Sequence, residues 1–175
     1  MSTLKIPISS LDHVQGNAKA ACTLVEYGDY ECPHCGAAYP LVKQLQKHFG
    51  KRLRLIYRNF PMTQLHPNAQ AAAEAAEFAE SKGKFWEMHD LLFENQDRLG
   101  SDLFAELASN LGLDPGELYR ALAKKTFTDR VRTDFTGGVR SGVNGTPTFF
   151  IDGQRYDRPM DFDTMVKAIE ESIAS

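Results

Sequence analysis

The chain has 175 residues, 42% of them hydrophobic and 25% charged, with a formal net charge of -3. That balance suits an ordinary globule with its own core and excludes the clustered Lys and Arg of a dedicated nucleic-acid surface. Three cysteines, Cys22, Cys32 and Cys35, are too few for a disulfide-stapled scaffold, and no stretch is long and apolar enough to span a membrane.

The opening segment, Met1 to Pro7, has one Lys and no apolar run of signal-peptide length. As given, the chain reads as cytoplasmic; a mature chain trimmed of a signal peptide would be periplasmic or exported. Thr23 to Tyr27 reads as a strand, rich in β-branched and aromatic residues. It runs into Cys32-Pro33-His34-Cys35. Leu41, Val42, Leu45 and Phe49 then fall at helical spacing up to Gly50, with a kink expected at Pro40. Leu53 to Tyr57 reads as a second strand.

From His66 to Val143 the pattern is helical throughout. Ala69 to Ala79 is alanine-rich, and Phe85, Met88, His89, Leu92 and Phe93 mark a second helix. Ser101 is the expected cap of a third. Asp114-Pro115-Gly116-Glu117 starts a fourth, and Phe127 to Val139 forms a fifth, weakened by Gly137 and Gly138. Strand signals return at Thr148 to Ile151. Asp152-Gly153 is a two-residue hairpin turn and Gln154 to Tyr156 pairs back. A last helix is capped by Asp161, with Phe162, Met165, Val166, Ile169 and Ile173 on one face. The order predicts a small α/β domain with a helical insertion.

A C-x-x-C between a strand and a helix places the first sulfur against the unpaired N–H groups of the helix start, which favour the thiolate. Cys32 is therefore expected exposed and reactive, with Cys35 buried one turn away and able to resolve a mixed disulfide. Pro33 suits the first helical position, and a protonated His34 would add positive charge beside Cys32. The competing reading, half of a zinc site, lacks a second pair of ligands. Cys22 reads as a small buried hydrophobe, His89 as a core histidine, His66 as a helix-start residue, and Phe85, Trp86 and Phe93 as the core of the insertion. Arg130, Arg132 and Arg140 read as a solvated helix face.

The run Glu26 to Cys35, with Gly145-Thr146-Pro147-Thr148-Phe149-Phe150-Ile151-Asp152-Gly153 downstream, resembles the DsbA-like thioredoxin superfamily. The resemblance covers nearly the whole chain, including Gly83-Lys84-Phe85-Trp86. It implies a thioredoxin-like fold at 1–65 and 144–175 with an all-helical subdomain inserted at 66–143. It also implies that Pro147 is a cis-proline opposite the cysteines and that the backbone of Thr146 binds extended substrate. Glu26 becomes a buried acid that exchanges protons with the resolving thiol. Without the Cys32-Pro33-His34-Cys35 motif Pro147 would read as a trans proline opening an edge strand, and strand alternation alone leaves Glu26 open to being an outward-facing residue.

The function implied is thiol–disulfide exchange with protein thiols and disulfides, recycled by glutathione or another redox partner, with no cofactor or metal. The alternatives are a glutathione-dependent small-molecule isomerase or transferase on the same fold, and a non-enzymatic holdase or metal-binding module. Both cysteines being present weighs against the first, and the lack of a long apolar stripe against the second.

Overall fold

The computed structural model describes residues 2–175; Met1, where the expected first domain begins, lies outside the described residues. In chain order the elements are β1 (His13–Gly16), β2 (Cys22–Gly28), α1 (Pro33–Phe49) and β3 (Leu53–Asn59). Then come α2 (Ala69–Ser81), α3 (Phe85–Glu94), α4 (Ser101–Asn110), α5 (Pro115–Ala123) and α6 (Thr128–Arg140). The chain closes with β4 (Thr148–Ile151), β5 (Gln154–Tyr156) and α7 (Phe162–Ala174).

The sheet order is β1-β3-β2-β4-β5. β2 and β3 are parallel, joined through α1; the other pairs are antiparallel. β2 sits centrally and is buried along its whole length, which is why it reads as near-continuous apolar sequence. Asp152 and Gly153 both have positive φ, 44° and 82°, the geometry that a tight two-residue hairpin requires. On the other flank, β1 has no clear sequence signal. It is only four residues long and owes its conformation to pairing with β3, His13 opposite Tyr57.

Strand alternation divides the core. Cys22, Leu24, Leu53 and Leu55 pack against Ala38, Val42 and Leu45 of α1 and Met165 and Ile169 of α7. Val25, Tyr27, Ile56 and Phe150 pack on the opposite face with Phe60 and Val143. The five helices between β3 and β4 do not form a separate core. Their residues Ala72, Phe78, Met88, Leu92 and Phe104 share one apolar cluster with Tyr30, Cys32, Cys35 and Tyr57.

α1 continues as one helix on both sides of Pro40. Several local expectations need correction. The cap of α4 is Gly100, and Ser101 is the first helical residue with no side-chain cap. Cys22 opens β2 instead of preceding it. Arg130 is not part of a solvated face: it donates to Asp134 Oδ1 at 2.5 Å and to the Leu11 carbonyl, and lies 3.5 Å from Glu77 Oε1. Burying one face of α6 against β3 brings these charges together, and burial favours paired charges.

The N-terminal segment crosses between the sheet edges. Thr3 bridges Gln154, and the Leu4 N–H donates to the Gly153 carbonyl at 2.9 Å. Further on, Arg58 grips Asp12 through two bonds of 2.8 and 2.9 Å and donates to the Ile6 and Pro7 carbonyls.

Candidate active site

β2 delivers the chain to the site. It ends at Gly28, a glycine because the Tyr57 ring lies against its backbone: a Cβ there would lie 2.6 Å from the ring. The loop Asp29–Glu31 then turns into α1, with Cys32 as its N-cap in extended conformation, φ -69° and ψ 123°. Pro33 fills the first helical position, where its missing N–H costs nothing.

The loop is anchored by the helical side of the molecule. Asp29 accepts from the Met62 N–H at 2.9 Å, pairs with His66 Nδ1 at 2.8 Å and accepts from its own neighbour, the Glu31 N–H. Glu31 accepts from the Asn68 N–H at 2.8 Å, at the start of α2. Gln96, in a short 3-10 turn between α3 and α4, donates to the carbonyls of both Tyr30 and Cys32 at 2.8 Å. None of these anchors is evident from sequence. Asp, Glu and Gln at such spacings look like ordinary surface residues, and only their acceptance of distant backbone N–H groups, or donation to distant carbonyls, sets them apart.

Cys32 and Cys35 are free thiols. Against the expectation of an open position, Cys32 is only 5% exposed. The Thr146–Pro147 loop lies over it: the Cys32 Sγ is 3.5 Å from the Thr146 carbonyl, and the Thr146–Pro147 peptide is cis. The Cys32 thiol is held down at about 5. The chief cause is a hydrogen bond from Cys35, and Thr146 and the N–H groups of Cys35 and His34 add to it against the opposing burial. His34 thus meets the sulfur through its backbone, while its imidazole and Pro33 are exposed.

Cys35 is fully buried. Burial, the bond to Cys32 and the nearby charge of Glu26 push its thiol far above the ordinary range, so it stays protonated. Glu26 shares the sheet face of Cys22 and Leu24, beneath α1, which alternation along β2 dictates once that face is known. Burial lifts its carboxyl to about 8. Beside it in register is Tyr57, whose buried hydroxyl has no hydrogen-bond partner. His89 lies in the core as expected, its Nδ1 2.9 Å from the Tyr30 hydroxyl, and burial keeps the imidazole neutral. Cys22, pushed up to about 12 chiefly by burial, stands apart from this chemistry. Among the described residues, no three His, Cys, Asp or Glu side chains converge as a metal site.

The arrangement can therefore present a thiolate, a protonated thiol one turn away and a carboxyl that titrates at about 8, beneath the Thr146–Pro147 loop. A cavity of about 490 Å³ opens elsewhere, between β5 and the end of α7.

Comparison with known proteins bears on this geometry. A family model described as thioredoxin matches residues 9–171. The crystal structure of oxidised BdbD from Bacillus subtilis superposes with a TM-score of 0.90 at 25% identity, covering 99% of each chain. A thioredoxin-like oxidoreductase from Silicibacter pomeroyi superposes at 0.84 with 26% identity, covering 95% of each chain. Among curated proteins, the Na(+)/H(+) antiporter NhaA 3 of Salinispora tropica is 40% identical over 173 residues, 98% of this chain and 26% of the antiporter. The chain thus spans about a quarter of the length of that relative. No helix among the described residues is long and apolar enough to cross a membrane.

Proposed function

Because the chain belongs to the thioredoxin family, we propose that it exchanges disulfides with protein substrates through Cys32 and Cys35. The observation that carries this reading is the contrast between the two sulfurs: Cys32 ionised near pH 5, Cys35 held protonated directly behind it.

In the oxidising direction a substrate thiolate attacks Cys32 Sγ. The Cys32–Cys35 bond breaks and a mixed disulfide forms. Cys35 leaves as a thiolate and takes a proton from Glu26, whose carboxyl is protonated at neutral pH. A second substrate thiolate then attacks the substrate sulfur and expels Cys32 as its stabilised thiolate. Two electrons pass from the substrate dithiol to the pair. In the reducing direction the steps reverse, with Cys35 giving its proton to the ionised fraction of Glu26 as it attacks.

Thr146 and Pro147 are assigned to substrate binding: an extended peptide would pair with the Thr146 backbone and displace the Cys32 contact at its carbonyl. Residues 1–65 and 144–175 are assigned to the redox domain and 66–143 to the helical insertion. The compartment sets the direction, since a glutathione-rich cytoplasm keeps such a pair reduced and an oxidising space does not. A resolving thiol held protonated behind Cys32 favours disulfide exchange over the glutathione-dependent alternative, which has no use for Cys35.

The test is oxidation of a reduced, unfolded protein by the disulfide form. The parent should transfer its disulfide, Cys32→Ser should be inert, and Cys35→Ser should accumulate mixed disulfides. Turnover of a glutathione conjugate that persists in Cys35→Ser would replace this reading with the small-molecule one.

A further inference from the structure

Resting on the exchange reading, we propose that the helical block sets the reactivity of Cys32 through Gln96, which acts as a positioning residue. Of the tethers on the Asp29–Cys32 loop, those to Asp29 and Glu31 hold side chains. Gln96 grips the backbone, including the carbonyl of the reactive residue. That carbonyl also accepts the first helical bond, from the Gly36 N–H at 3.0 Å. Two donors on one carbonyl fix the peptide plane that follows Cys32. With the plane fixed and Cys32 extended, the sulfur is held over the unpaired N–H groups of the first turn. Without Gln96 the plane keeps a single bond and the first turn is free to tilt.

A second observation points to the same amide. Gly36 stands inside α1, where glycine is less favourable than alanine. A Cβ built there would overlap the Gln96 Oε1. The glycine makes room for the side chain that reaches in from the helical block, so the two residues form one device. Gln96 bonds to backbone carbonyls and has no part in the exchange chemistry itself.

The experiment compares reduced parent, Gln96→Met, Gln96→Glu and Gly36→Ala. The readouts are thiolate absorbance against pH, the equilibrium with glutathione and the thermal midpoint. Gln96→Met keeps the volume and loses both donated bonds. Its Cys32 titration should move upward, the ionisation constant falling by about 3- to 10-fold. The glutathione equilibrium should move toward the protein disulfide by a similar factor. Gln96→Glu should move both further, because a carboxylate then faces two carbonyls and a thiolate. Gly36→Ala should move both in the same direction while favouring the helix; it carries the test if a Gln96 variant fails to fold. Variants that melt earlier but keep the parental titration and equilibrium would overturn the proposal and leave Gln96 a strut. A parent with an ordinary Cys32 titration and no exchange would instead overturn the functional reading on which the proposal rests.

Discussion

Glu26 offers a direct test of how the site is built, through the replacement Glu26→Gln. The carboxyl is buried, and burial alone raises it from 4.5 to about 8. In the unfolded chain it ionises near 4.5, so between these values folding takes up a proton. The sign follows: the contribution to stability is fully present below pH 4.5, falls as pH rises through the window and is flat above about 8. At 1.36 kcal/mol per pH unit, the cost at pH 7 is on the order of 3 kcal/mol, and it approaches about 5 kcal/mol above pH 8. The amide in the variant carries no charge in either state and is free of this cost. Urea unfolding should be followed from about pH 4 to about pH 9 for parent and variant, both in a Cys32→Ser background so that the low thiol does not titrate. The two stability curves should diverge steadily across the window, the variant gaining about 3 kcal/mol relative to the parent between about pH 4 and about pH 7. Parallel curves would show that Glu26 is not desolvated in the folded protein and would remove its role as proton carrier to Cys35.

Three further outcomes are expected. At mildly acidic pH an alkylating agent should modify Cys32 first, with mass mapping showing Cys35 and Cys22 spared; preferential labelling of either of these would contradict the assignment of the sulfurs. His34→Ala should raise the Cys32 titration and make the pair less oxidising, but by no more than about 30 mV in a glutathione equilibrium, because the exposed imidazole is screened and the backbone N–H groups stay in place. Gly138→Ala should lower the thermal midpoint: the new Cβ would lie 2.7 Å from Phe60 and 3.0 Å from Tyr27, and overpacking of about 1–3 kcal/mol outweighs the gain of about 1 kcal/mol in helix propensity. An unchanged or raised midpoint would show that α6 moves aside freely.

What can be read from the sequence is what is encoded locally. The C-x-x-C between strand and helix, the Asp152-Gly153 turn, the alanine-rich helix and the Asp161 cap each rest on neighbours within a few positions. What escapes reading is set by distant partners. β1 is a strand because β3 lies beside it, and Arg130 is drawn inward by Glu77 and Asp134. Gln96 lies 64 positions from the carbonyl it holds. Glu26 is intermediate: alternation places it with Cys22 and Leu24, but which face meets α1 is decided only by the packed helices. Gly137 and Gly138 show the reverse error. As sequence they weaken a helix; in the fold they are the points where α6 comes close enough to touch Ile6, Phe60 and Tyr27.

The path of the N-terminal segment has a consequence for self-association. An open sheet margin is a template on which other chains polymerise. Here one stretch attends to both margins: residues near Thr3 lie along β5, and His13–Gly16 lie along β3. The strands left outermost are very short, and the Asp12–Arg58 clasp fastens the stretch midway. A cut near Asp12 would release the stretch that lies along β5 and uncover that margin, so proteolysis there should increase aggregation. With its margins attended, the sheet offers a passing extended chain little to extend.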